Sequence, residues 1–181
     1  MTYPTMQALE ARANTTFRAL LWALSHPGSI QKLSTDEGDM LAIAEALLDL
    51  ETSYYSPDPE LHSQLFQTGA RPRSAAEAVY QFYRSLGNAD LETLQHAPIG
   101  SYGYPDAAAT LIIGCRLGAG RPLVLRGPGI NGETELRVDQ VPSGLWQMRA
   151  EAGRYPLGWD MFLCDGNHVV GLPRTTTLEV R

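Results

Sequence analysis

The sequence predicts an α/β fold in three layers, a mixed β-sheet covered by helices on its faces, and three observations carry that reading. Helical apolar periodicity recurs through the first half, and short β-rich runs separated by glycine turns dominate the second. No repeat, charge run or linker interrupts the 181 residues, so residues 1–181 are expected to form a single domain. With 44% hydrophobic and 19% charged residues the composition is that of a globular chain. A domain of this length buries roughly 70% of the surface its unfolded chain exposes, which makes disulfide or metal staples unnecessary.

The first element is a helix over Ala11 to Ser25, where Phe17, Leu20, Leu21 and Leu24 form one apolar stripe at i, i+3, i+4 and i+7. His26-Pro27-Gly28 stops it, because proline and glycine in succession cannot continue a helix. A second helix is expected from about Asp39 to Asp49, apolar at Leu41, Ile43, Ala44, Leu47 and Leu48, with Asp36, Glu37 and Asp39 near its positive end. Thr52 to Tyr55 is β-prone, and Glu60 to Gln67 reads as a short helix closed by Gly69. Ala75 to Leu86 reads as a further amphipathic helix with Ala75, Val79 and Phe82 inward, capped by Ser74 and ended by Gly87. Thr110 to Ile113, Pro122 to Leu125 and Thr134 to Val138 look like neighbouring strands. Trp159 to Asp165 and His168 to Leu172 form a closing pair around Asp165-Gly166-Asn167.

Charge and motif content exclude several functions. A formal net charge of −6 does not neutralise phosphates in bulk, so no nucleic acid partner is expected. No run reaches the ~18–20 uncharged apolar residues of a membrane span, and Met1 to Glu10 lacks a basic start and an apolar core, so the expected address is cytoplasmic without membrane contact. Lys32 is the single lysine; it follows a Pro-Gly turn among polar neighbours, a poor setting for a Schiff base, which needs a desolvated amine. Cys115 and Cys164 lie in apolar runs without Cys-x-x-Cys spacing and read as buried thiols. His26, His62, His96 and His168 lack metal-ligand spacing, so no metal is expected. Dinucleotide, Walker and nucleophile-elbow motifs are missing, which leaves no catalytic residue to name.

Two places could hold an anion or a partner. The loop Arg126-Gly127-Pro128-Gly129-Ile130 follows a strand and is either a tight structural turn or a backbone concavity for an anion or partner, with Arg126, Gly127 and Gly129 as contacts. Arg174, in Leu172-Pro173-Arg174-Thr175-Thr176, is a second candidate fork, and Asp160 is its nearest oppositely charged partner for a structural ion pair.

Taken together, Ser25-His26-Pro27-Gly28, Pro105 to Thr110, Leu125 to Ile130, Tyr155-Pro-Leu-Gly-Trp-Asp160 and Leu172-Pro-Arg-Thr-Thr176 resemble the PhnH family, the H subunits of the bacterial carbon–phosphorus lyase system, in order and over nearly the whole chain. The resemblance implies a fold similar to the pyridoxal-phosphate (PLP)-dependent transferases but without PLP or another cofactor. It implies an accessory, non-catalytic subunit in phosphonate metabolism. Its partners would be the G, I and J subunits of a complex that makes ribose 1-phosphonate 5-triphosphate from ATP and an alkylphosphonate. Radical cleavage would belong to another subunit, since two separated cysteines cannot hold an iron–sulfur cluster. A homodimer is expected when the chain is isolated, as is a phosphorylated ribose or nucleotide ligand. The rival reading is an autonomous small-molecule transferase that uses Arg126 and Arg174 as a phosphate clamp.

Overall fold

The computed structural model describes residues 6–33 and 39–181. Asp36 and Glu37, expected at the positive end of the second helix, lie outside the described residues. In chain order the elements are α1 (Met6–Ser25), β1 (Ile30–Lys32), α2 (Asp39–Leu47), β2 (Ser53–Tyr55), α3 (Pro59–Phe66), β3 (Arg71–Pro72), β4 (Tyr80–Tyr83) and α4 (Asn88–Leu94). They continue with β5 (Thr110–Gly114), β6 (Arg116–Arg126), β7 (Thr134–Asp139), α5 (Gly144–Ala152), β8 (Asp160–Asp165), β9 (His168–Leu172) and β10 (Thr177–Val180), with a short 3-10 turn at Pro105–Ala107 before β5.

A mixed seven-stranded sheet runs β1-β9-β8-β5-β4-β2-β3. Its interior pairs β2–β4, β4–β5 and β5–β8 are parallel, and β8–β9 and β9–β1 are antiparallel. Alternation along each strand feeds two cores. Phe82, Ile112, Phe162 and Val169 pack against Leu20 of α1, Ile43 of α2 and Leu61 and Leu65 of α3. Tyr83, Leu111, Ile113, Met161, Leu163 and Val170 face the other way, onto Leu94 of α4, Leu145 and Trp146 of α5, and Leu123, Leu125 and Leu136.

The three layers therefore differ from the expectation in one respect: the second face is covered by α4 and α5 together with a three-stranded antiparallel sheet, β10-β6-β7. The runs at 110–113, 122–125 and 134–138 are accordingly not three neighbours. The first is β5 in the main sheet, and the other two pair in the small one. Gly118 and Gly120, both at positive φ, carry β6 through a register shift between Leu117 and Arg121 that turns it away from the main sheet.

The expected helix at Ala75 to Leu86 is not formed. Its start signal, Ser74 hydroxyl to Glu77, closes one turn only, and Tyr80–Tyr83 becomes β4 between β2 and β5. Phe82 and Tyr83 are both fully buried on opposite faces, which a helix with one inner face cannot achieve. Gln81, also buried, anchors the turn by donating to the carbonyls of Ala75 and Ala78 while its oxygen accepts from the Tyr83 hydroxyl.

Other expectations match. Asp58 caps α3 by accepting from Leu61 N–H at 2.8 Å, Pro59 fills its first turn, and Gly69 follows at φ 84°. The closing β8–β9 hairpin turns through Gly166. On α1, however, the stripe divides. Leu20 and Ala23 are buried, whereas Phe17 and Leu21 remain half exposed beside Trp22.

Candidate functional site

The five sequence segments gather into two clusters on one side of the fold. In the first, Ser25 to Gly28 meets the loop after β6 around a cleft of about 310 Å³ lined by His26, Gly28, Gly129, Asn131, Glu133 and Thr134. The approach is close because both glycines have positive φ and no side chain: a Cβ on Gly129 would come 2.3 Å from the Ser25 carbonyl oxygen, and one on Gly28 would come 2.9 Å from the Thr134 methyl. His26 stacks on Trp22 at 4.1 Å between ring centroids. Gly127 lies against the backbone of Thr175 and Thr176, which ties this loop to the second cluster.

Arg126 is not presented to that cleft as a loose cation. It sits between Glu133 at 2.6 Å and Glu179 at 3.2 Å, and hydrogen bonds to Glu179 and Glu133 push its pKa further up from the ordinary value. The pairs are exposed, where ion pairs contribute little stability.

In the second cluster Arg174 lies over the start of β8. It gives Nε and Nη2 to the two Asp160 oxygens, and Nη1 to the carbonyls of Pro105 and Pro156. Asp160 also accepts from Arg174 N–H at 2.8 Å. With side-chain exposures of 16% and 22% the pair is mostly shielded, and it welds the segments at 105, 156 and 174 together. Arg126 and Arg174 thus face different carboxylates and share none of these contacts.

Two arginines that no local sequence pattern marks complete the picture. Arg149 in α5 is buried, donating Nη1 to Thr176 O and Nη2 to Pro173 O and Leu172 O. Burial pushes its pKa down to about 10, with Asp160 opposing the shift, so it stays cationic at neutral pH. Arg84, just after β4, is held by Asp58 at 3.2 Å. Lys32 is exposed at the end of edge strand β1, opposite His168, a position that does not fit the desolvated amine a PLP linkage needs. Cys115 and Cys164 are buried, with Cys115 N–H donating to Cys164 O. Among the described residues no helix is long and apolar enough to cross a membrane, and no group of three or more His, Cys, Asp and Glu is arranged to hold a metal.

The Arg174 geometry has a measurable consequence. Arg174→Lys keeps the charge but loses the fork, and is expected to cost roughly 1–3 kcal/mol of stability. Arg126→Lys should leave the melting temperature nearly unchanged. Equal melting temperatures for Arg174→Lys and the parent protein would refute the structural role of that pair.

Comparison with known proteins places these clusters in context. Residues 4–179 match the family model described as PhnH, bacterial phosphonate metabolism protein. The chain is 34% identical over 174 residues to a Stutzerimonas stutzeri protein named as a C-P lyase subunit, HtxG, covering 94% of this chain and 87% of that one. It is 30% identical over 184 residues to the alpha-D-ribose 1-methylphosphonate 5-triphosphate synthase subunit PhnH of Rhizobium meliloti (strain 1021), covering 92% and 90%.

Proposed function

The chain belongs to the PhnH family of bacterial phosphonate metabolism proteins, and from that membership we propose that it is an accessory, non-catalytic subunit of a cytoplasmic carbon–phosphorus lyase complex. In that role it supports formation of ribose 1-phosphonate 5-triphosphate from ATP and an alkylphosphonate, alongside G, I and J subunits. The observation that carries the reading is the contrast between its polar and apolar surfaces. Arg126 and Arg174, the candidate phosphate clamp, are engaged by the protein's own carboxylates, whereas α1 leaves Phe17, Leu21 and Trp22 about half exposed beside a groove lined by Leu24, Leu47, Tyr80 and Phe162. Large apolar side chains gathered on one helix favour a protein contact over a clamp for a small anion.

On the same reading the isolated chain covers this face by pairing with a second copy, and the whole of residues 1–181 acts as one domain. The mixed sheet between helical layers supports a scaffold shared with PLP-dependent transferases, with no PLP chemistry attached to it.

Reconstitution tests the proposal. The chain alone should leave ATP and methylphosphonate unchanged, co-purify with the G, I and J subunits, and be required for their turnover. It should scatter light as a dimer at about 10–100 μM when isolated. Turnover by the isolated chain would establish the autonomous transferase instead, and a complex that works equally well without the chain would remove the subunit role.

A further inference from the structure

The connections after β2 and β4 leave in opposite directions. The chain passes from β2 through α3 to β3 on one side of the sheet, and from β4 through α4 to β5 on the other. α3 and α4 also pack on opposite faces. In open α/β sheets such a switch point opens a crevice beyond the carboxyl ends of the strands, where ligands bind. Here a cavity of about 220 Å³ lies beside that point, lined by Arg84 and Ser85 after β4, Gly114 and Cys115 after β5, Gly166 after β8, and Gln140.

Three features build the site. Asp58, following β2, uses one oxygen to cap α3 and the other to hold Arg84 Nε, so the ion pair straddles the switch point and fixes the guanidinium from behind. Gly114 lets the strand ends close up, since a Cβ there would stand 2.2 Å from the Arg84 carbonyl oxygen. Gln140, at φ 63°, is the one non-glycine residue with positive φ among the described residues, a conformation that persists only where its surroundings impose it. The carboxylates of this edge point to internal donors: Asp139 accepts from Gln140 N–H and Asp165 from Leu117 N–H.

We propose that this crevice binds the phosphate of a small phosphorylated sugar, with Arg84 as its principal contact and Ser85 and Gln140 as neighbouring donors. The assignment rests on the reading of the chain as a subunit that handles a phosphorylated intermediate, and moves the anion site from Arg126 and Arg174 to an arginine oriented by one carboxylate with its outer nitrogens toward the cavity edge. The size suits one phosphate and a pentose; whole drug-sized ligands occupy about 300–1,000 Å³.

Isothermal titration of the full chain with ribose 5-phosphate, inorganic phosphate and ribose tests it. Binding is expected for ribose 5-phosphate, more weakly for inorganic phosphate, and not for ribose. Arg84→Gln should weaken ribose 5-phosphate about tenfold or more, and Arg84→Lys should retain part of the affinity. Inorganic phosphate binding as tightly as the sugar phosphate would make this a simple anion site and overturn the sugar assignment. Unchanged affinity in a folded Arg84→Gln variant, loss in Arg126→Gln instead, or no binding of any probe would overturn the site itself. A working reconstituted complex with no binding refutes this proposal alone, whereas binding without any complex refutes the subunit reading alone.

Discussion

Arg149→Ala is expected to lose about 3 kcal/mol of stability or more, because the carbonyls of Thr176, Pro173 and Leu172 lose their donor in a buried turn. Against a typical total of about 5–15 kcal/mol this is a large fraction. The turn that loses its anchor also carries Arg174, so the damage should spread to the Asp160 pair. Arg149→Met separates the contributions, since it restores much of the buried volume without restoring a donor. If hydrogen bonding dominates, both variants will shift the urea midpoint by similar amounts at an unchanged slope. A methionine variant as stable as the parent would show that Arg149 acts only as packing.

Gly171→Ala is expected to be comparably damaging for a different reason. Gly171, in the middle of β9, meets α1 backbone to backbone: an added Cβ would lie 2.5 Å from the Ala23 carbonyl carbon and 2.6 Å from Leu24 N. Neither neighbour is a flexible side-chain end that can swing aside, so the helix itself must lift from the sheet. Overpacking of this kind costs about 1–3 kcal/mol and at times more, and Gly171→Val should be worse. Thermal unfolding decides it; a melting temperature within about 1 °C of the parent, well below the ~2–4 °C expected per kcal/mol in a chain of this size, would show that α1 accommodates the methyl freely.

How far the fold was legible follows from how local each determinant is. The helices α1 to α3 can be read from apolar spacing and from their stop signals, Pro27-Gly28 and Gly69. The β8–β9 hairpin can be read from Asp165-Gly166. The β4 segment could not, because Ala75, Val79 and Phe82 satisfy a helical pattern locally while the deciding contacts come from β2 and β5 on either side. α5 escaped notice because its buried face includes Arg149, which breaks the apolar period. At the candidate site, the Asp160–Arg174 geometry was accessible as a pairing of nearby opposite charges. Arg84 was not, since its meaning comes from Asp58 on another strand's connection.

The partnership of α1 and β1 with β9 also sets a schedule. Both leave the ribosome among the first residues, yet the strand that β1 pairs with, and against which Gly171 seats α1, ends at residue 172. At about 5–20 residues per second of synthesis the opening helix waits on the order of ten seconds for its seat. β8, which must slot between β5 and β9, arrives almost as late. Until then the inner surfaces of β4 and β5 have no complete cover, so a chain stalled near residue 150 should be a client for chaperones or proteases rather than a partly finished domain.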